Sequence, residues 1–237
     1  SFTDVYEKTK ALMESKSQKS GKSICSGILT VLTKNTLNNL NEVYDFFLLN
    51  KFRPRINPIF YEGRGEVVRK EIGITPKEYG EGMIYLFDKW FYSEEDLIVI
   101  EPFFEIIGNL IVGRPQSCIF TEACYREFLE IEPNGDVYPC GIGENLRDFL
   151  LGNINKDDMS KILASPVFEL LETGNAEVRK KCNNCHYFSI CNGGCVRKAY
   201  SARKELSDRD YYCLGYKVLF NHIHQALSSP PHLRGIF

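Results

Sequence analysis

Long apolar runs are missing from this 237-residue chain. No stretch approaches the roughly 18 apolar residues that a membrane-spanning helix needs, so no membrane span is expected. Charge of one sign is not concentrated anywhere either. The 29 Lys and Arg are interspersed with 31 Asp and Glu, for a formal net charge of −2, and no basic tract offers a nucleic-acid surface. Ser1-Phe2-Thr3-Asp4-Val5 has no basic segment leading into an apolar one. No secretory signal is therefore expected, and the chain is assigned to the cytoplasm. The same opening residues read as a cut inside a longer chain or at a domain boundary. Repeats and low-complexity tracts are absent as well.

What the chain has in excess is cysteine. Nine occur, eight of them between residues 118 and 213, and Cys25 stands alone. In a secreted chain such density signals disulfides. Without a secretion signal, metal or cluster binding is the first reading. The order is Cys118-x5-Cys124-x15-Cys140, then, after 41 intervening residues, Cys182-x2-Cys185-x5-Cys191-x3-Cys195-x17-Cys213. Eight thiolates complete two four-sulfur sites, and thiolate is the soft ligand that iron–sulfur clusters and zinc both prefer. Cys182-Asn183-Asn184-Cys185 is a turn short enough to aim two sulfurs at one centre. Asn192-Gly193-Gly194 frees the backbone so that its N–H groups can face sulfur. On spacing alone, two zinc staples and two iron–sulfur clusters both remain open, as do disulfides and unliganded buried thiols.

Before residue 113 the sequence alternates helix and strand. Phe2, Val5, Tyr6, Thr9, Leu12 and Met13 recur at helical spacing. Ser26 to Leu32 is a short apolar run read as a buried strand. Thr36 or Asn35 is the expected cap of a helix burying Leu37, Leu40, Val43, Tyr44, Phe47 and Leu48. Residues 55–60 are an expected strand, despite Pro54 and Pro58. Thr75-Pro76-Lys77-Glu78 carries the capping box and first-turn Pro of a helix, with Tyr79, Met83, Leu86, Phe87 and Trp90 as its apolar stripe. Another helix is expected from Pro102 to about Val112. This order implies parallel strands with right-handed crossovers. Two strands do not make an independent sheet. The expected fold class for residues 1–113 is therefore α/β, the C-terminal part of a partial TIM-type barrel, against the alternative of a small α/β domain complete in itself.

From Cys118 onward the elements shorten, and the expected class is α+β. Phe128 to Tyr138 reads as a β-hairpin about a type I′ Asn134-Gly135 turn. That register sets Cys140 opposite Leu129 and returns it to the end of the hairpin where Cys124 lies. Helices are expected from Asp158 to about Leu171 and from Tyr211 to Leu227, the latter with Cys213 in its first turn. Residues 228–237 read as a loose tail.

The cysteine series resembles the SPASM domain of radical S-adenosylmethionine (SAM) enzymes, most closely that of anaerobic sulfatase-maturating enzymes. The match includes the hairpin Glu132-Pro133-Asn134-Gly135-Asp136-Val137-Tyr138-Pro139-Cys140, the later Leu151-Gly152-Asn153-Ile154, and Cys182 through Cys213. Upstream, Ile28 to Thr36 is similar to a late strand of that family's barrel. The resemblance implies that residues 114–227 are a SPASM domain with two auxiliary [4Fe–4S] clusters. Cluster I would take Cys118, Cys124, Cys140 and Cys195, and cluster II would take Cys182, Cys185, Cys191 and Cys213. Full ligation by cysteine leaves no open iron, so the implied roles are electron transfer and structure. For the whole enzyme it further implies SAM and a third [4Fe–4S] cluster, with Leu29 near the SAM adenosyl group. Its implied partners are a peptide or protein substrate and an external electron carrier such as flavodoxin or ferredoxin. Cys25 matches no ligand.

Two departures from the family pattern bear on function. The C-x3-C-x2-C signature that binds the SAM-cleaving cluster is missing: Cys191-x3-Cys195 begins like it, but position 198 is Lys198. This stretch alone is not expected to generate the 5′-deoxyadenosyl radical, and the reading is the C-terminal part of a longer oxidoreductase. Second, sulfatase maturases carry an Asp directly after the third cysteine of the first cluster, assigned there as the base that deprotonates a substrate Cys or Ser. Here that position is Gly141. The resemblance therefore points to a related maturase of ribosomally made peptides, ahead of formylglycine formation. A zinc-stapled or catalytically dead peptide-binding module is the remaining alternative. His186, His222 and His224 are read as surface or packing residues, and Tyr187 and Phe188 as shields of a cluster.

Overall fold

The computed structural model describes residues 2–15, 27–93, 98–142 and 144–228. Cys25, Ser26 and the expected tail beyond Ser228 lie outside the described residues. The chain opens with helix α1 (Phe2–Glu14), followed by two parallel strands, β1 (Gly27–Leu32) and β2 (Arg53–Pro58), in register from Gly27↔Arg53 to Leu32↔Pro58. Between them run α2 (Lys34–Asn38) and α3 (Leu40–Asn50). The cap of α2 is Thr33, not Asn35 or Thr36. Thr33 is extended as it leaves β1, so its hydroxyl can accept the Thr36 N–H at 3.3 Å.

β1 is not the fully buried strand expected from its apolar run. Leu29 and Val31 are 72% and 51% exposed. Among the described residues only β2 pairs with β1, which leaves one edge and one face open. The prolines of β2 have a geometric reason. Pro54, Ile56 and Pro58 share the parity that faces residues 98–101, where only a single bridge forms. There Ile56 N–H donates to Glu101 O at 2.8 Å and Glu101 N–H to Pro54 O at 2.9 Å. A missing N–H on that side costs no ladder bond.

Two single helical turns (Arg64–Val67 and Arg69–Ile72) lead to α4 (Pro76–Phe91). Its start is the capping box read from the sequence: Thr75 Oγ1 accepts the Glu78 N–H at 3.2 Å, and Glu78 Oε2 accepts the Thr75 N–H at 2.7 Å. Thr75→Ala is expected to cost about 1 kcal/mol, read as a lower Tm in thermal unfolding. The Thr75 amide holds the Glu78 carboxyl below its ordinary range. The contribution of the box is thus present at neutral pH and is lost as pH falls through that lowered value.

After α5 (Phe103–Val112) come the hairpin strands β3 (Leu129–Ile131) and β4 (Asp136–Pro139). The turn between them corrects the type I′ expectation. Gly135 N–H donates to Glu132 O, and Glu132 N–H to Asp136 O. Gly135 has φ +90, whereas Asn134 does not have a positive φ. The loop is therefore the three residues Pro133-Asn134-Gly135, a type I turn closed by a left-handed glycine. Pro133 drives this choice, because its fixed φ fits the first corner of a type I turn and not of a type I′ turn. The register moves by one, pairing Leu129 with Pro139, and Cys140 N–H instead donates to Phe128 O.

β5 (Gly152–Asn153) pairs with β4. The helix expected over 158–171 is two helices, α6 (Met159–Leu163) and α7 (Pro166–Cys182). Ser165 and Pro166 supply a cap position and a first-turn proline in mid-pattern, and α7 runs on to the cysteine. The short α8 (Phe188–Cys191), α9 (Val196–Arg203) and α10 (Cys213–Ser228) complete the chain.

One core joins both halves of the sequence. Tyr79, Met83, Leu86 and Phe87 of α4 cluster with Tyr216, Leu219, Phe220 and Ile223 of α10, and Leu32, Ile56, Phe120, Ile190 and Cys191 belong to the same cluster. The α4 and α10 backbones meet at glycines: a Cβ on Gly80 would lie 2.9 Å from the Gly215 Cα. A smaller core of Tyr125, Val137, Phe149, Leu151, Ile162, Phe168 and Leu171 sits beneath the hairpin.

Candidate metal centres

Four of the cysteines come from four separate chain ends and turns. Cys182 ends α7. Cys185 follows in a tight turn, its N–H on Cys182 O at 2.8 Å. Cys191 ends α8, and Cys213 begins α10. Their side chains line one cavity together with Tyr187, Phe188, Gly193, Tyr216, Lys217 and Phe220. The Gly193 amide points at the Cys191 sulfur. Burial pushes the Cys182, Cys191 and Cys213 thiols up, and the cations Arg209 and Lys217 act against that push at Cys182 and Cys213.

The other four converge around the end of the hairpin. Cys118 and Cys124 open single 3-10 turns, Cys118–Phe120 and Cys124–Arg126. Cys140 leaves β4 in a left-handed conformation, φ 59, and Cys195 caps α9. Cys118 and Cys124 share a hydrogen bond, and Cys195 and Cys140 lie near enough to oppose charge at Cys124. That hydrogen bond pulls Cys118 down and pushes Cys124 up, so the pair favours one thiolate. Burial raises Cys195 to about 11, although Lys198 and the Arg197 and Lys198 amides favour its anion. Buried thiols held neutral in this way are poor nucleophiles. They ionise when a cationic centre offsets their charge.

Between the two groups lies a polar clasp that sequence reasoning missed. Asp210, 1% exposed, accepts the Cys195 N–H at 3.0 Å and the Tyr212 N–H at 2.8 Å. Its own N–H donates to Gly193 O, and its carbonyl accepts from the Cys213 N–H. Lys198, 2% exposed, stands 3.8 Å from Asp210 and donates to the Tyr216 hydroxyl at 2.7 Å. Asp210 and Lys198 do lie between ligand candidates in the sequence, but nothing there marks them as buried.

A single zinc ion would need four sulfurs at about 2.3 Å, whereas a cluster interposes iron and sulfide between its thiolates. Among the described residues, no group of three or more His, Cys, Asp or Glu is already placed to hold a metal ion. The donor set is all thiolate, which suits iron–sulfur clusters and four-cysteine zinc sites alike. Ser117 Oγ, buried just before Cys118, has no hydrogen-bond partner among the described residues, and neither does Glu130 Oε2. The histidines do not join either group: His222 Nε2 is 2.5 Å from Asp88, and His186 stacks on His224. Leu29 is far more exposed than a core residue. It lines an apolar cavity of about 510 Å³ with Phe2, Tyr6, Phe46 and Phe52, and no cysteine among the described residues borders that cavity.

A family model described as an iron–sulfur cluster-binding domain, SPASM, matches residues 123–186. The cysteine-type anaerobic sulfatase-maturating enzyme of Clostridium perfringens is 29% identical over 201 residues, 82% of this chain and 53% of that enzyme. Its counterpart in Clostridium novyi is 28% identical over 200 residues, 81% of this chain and 52% of that one. The solved structure of native anSMEcpe with bound AdoMet matches with a TM-score of 0.71 and 27% identity, covering 85% of this chain and 55% of that chain. The same protein with AdoMet and the Cp18Cys peptide matches with a TM-score of 0.71 and 27% identity, over 85% of this chain and 56% of that chain. The chain spans about half the length of the relatives it matches. No helix among the described residues is long and apolar enough to cross a membrane.

Proposed function

We propose, for a SPASM-domain relative of the anaerobic sulfatase-maturating enzymes, that this chain is the auxiliary-cluster portion of a radical SAM maturase acting on a ribosomally made peptide. Residues 1–113 would be the later part of its α/β barrel, 114–227 its SPASM domain and 228–237 a tail. The parallel β1–β2 pair with an open edge supports the barrel assignment.

In this reading Cys118, Cys124, Cys140 and Cys195 hold cluster I, and Cys182, Cys185, Cys191 and Cys213 hold cluster II. The observation that carries it is the single cavity lined by four cysteines from the end of α7, the turn after it, α8 and α10. When bound, [4Fe–4S] clusters supply one-electron transfer. The chain's own residues exclude water with Tyr187, Phe188 and Phe220, aim amides at sulfur, and set cations beside the thiolates.

Solved relatives carrying Cys peptides favour a peptide partner. The proposed electron partner is a flavodoxin or ferredoxin in the cytoplasm. SAM and its own cluster would belong to the whole enzyme, with Leu29 near the adenosyl group. Formylglycine formation is a second reading, favoured by the identity to cysteine-type maturases. Against it, the residue after Cys140 is glycine, and Arg197 Nη1 lies 3.2 Å from where its Cβ would be.

The test is the metal content of anaerobically reconstituted protein. About eight iron and about eight sulfide per chain, four of each from either cluster, with the brown colour of iron–sulfur protein, are expected. Zinc without inorganic sulfide would overturn the reading.

A further inference from the structure

We propose that the Arg197–Glu62 ion pair sets the reduction potential of the cluster held by Cys118, Cys124, Cys140 and Cys195. This inference rests on the cluster assignment above. Arg197 lies two residues after Cys195. Its Nε is 2.9 and 3.0 Å from the two Glu62 oxygens, and its Nη2 is 2.7 Å from Oε2. The guanidinium also covers the Phe60 ring, 4.9 Å from its centroid. Its remaining nitrogen, Nη1, borders Gly141, the residue that follows Cys140. The Arg197 amide faces the Cys195 sulfur, and its side-chain charge acts on Cys140. One residue therefore meets two of the four thiolates, and it is held in place by the Phe60–Glu62 loop that follows β2.

The two charges lie out of bulk water: the Glu62 side chain is 4% exposed and that of Arg197 26%. Screening at such a site is weaker than at the surface. Reduction adds one electron to the cluster and no proton, so the cage gains one negative charge. A fixed cation beside the thiolates favours the reduced state and raises the potential, while a carboxylate on that cation takes part of the effect back. A neutral pair would be only a strut between the loop after β2 and α9. This pair is placed so that each partner moves the potential in a different direction. Arg197 is not among the charges acting on the second cysteine group, which has its own cations, Arg209 and Lys217.

The experiment is an EPR-monitored redox titration of the anaerobically reconstituted protein, with the cluster I step identified as the one altered by Cys140→Ser. Glu62→Gln is expected to shift that step to higher potential, and Arg197→Gln to lower potential. Arg197→Lys, which keeps the charge, should stay near wild type, and the double variant Glu62→Gln/Arg197→Gln should fall between wild type and Arg197→Gln, because the carboxylate takes back only part of the cation's effect. The other step should not move in any variant. Shifts of the same sign in both single variants, or a double variant worse than either, would assign the pair a purely structural role and overturn the inference. Should Arg197→Gln fail to fold, Glu62→Gln and Arg197→Lys still decide: a Glu62→Gln midpoint that is unmoved or lower refutes it. Protein lacking inorganic sulfide overturns the cluster assignment instead, and the inference with it.

Discussion

Cys195→Ala is expected to remove about half of the iron and sulfide of the reconstituted protein, and adding Cys118→Ala is expected to remove little more. Cys195→Ala combined with Cys182→Ala should remove nearly all of it. The reasoning is that a four-thiolate cluster is lost as a unit when one ligand goes, so losses saturate within a group and add across groups. The pattern is diagnostic because Cys195 lies only three residues past Cys191 yet is assigned to the other cluster. A division by sequence order would put Cys118 with Cys182 and Cys195 with Cys191. It would then change one outcome, with the Cys195/Cys118 pair emptying both sites, while the Cys195/Cys182 pair empties both under either division. Cys195→Ala also leaves its backbone bond to Asp210 in place, so the turn should survive and the measurement should report ligation rather than collapse. Iron and sulfide counts on the Cys195/Cys118 variant decide between the divisions.

Much of the frame was readable from residue order because short-range physics dictates it. The Thr75–Glu78 capping box and the Tyr79–Trp90 stripe are local signals, and α4 forms as they require. The hairpin was readable in kind but not in register, since Asn134-Gly135 suggested a two-residue turn and Pro133 outvoted it. The burial of β1 was misjudged for a different reason. An apolar run reports that a strand suits a core, not which neighbours cover it, and Leu29 and Val31 stay exposed beside a single partner strand. The cysteine spacing pointed to two four-thiol groups. It held no information about Asp210, Lys198 and the Arg197–Glu62 pair, whose roles depend on contacts such as the one spanning 135 residues between Arg197 and Glu62. Charged residues look alike in sequence whether they are solvated or buried.

Gly215→Ala is expected to be among the most destabilising of single-methyl additions to this chain, and to cost iron as well as stability. An added Cβ would lie 2.4 Å from the Pro76 carbonyl oxygen, 2.8 Å from the Tyr79 ring and 3.1 Å from the Gly80 nitrogen. Two of those atoms are backbone, so no rotamer change relieves the contact. α4 cannot easily retreat, since Pro76 is its first residue and the Thr75–Glu78 box fixes that end. α10 must move instead, and Cys213 sits two residues before Gly215 on the same first turn. Overpacking of this kind costs about 1–3 kcal/mol, or about 2–4 °C of Tm per kcal/mol for a chain of this size. The displaced Cys213 should lower occupancy of the site lined by Cys182, Cys185 and Cys191 more than that of the other. Gly108→Ala is the control, because within α5 its added Cβ would meet only Gln116 Cγ, at 3.8 Å. Replacing a mid-helix glycine there should be neutral or slightly stabilising. Equal melting temperatures and equal iron in the two variants would mean that the α4–α10 contact neither limits stability nor positions Cys213.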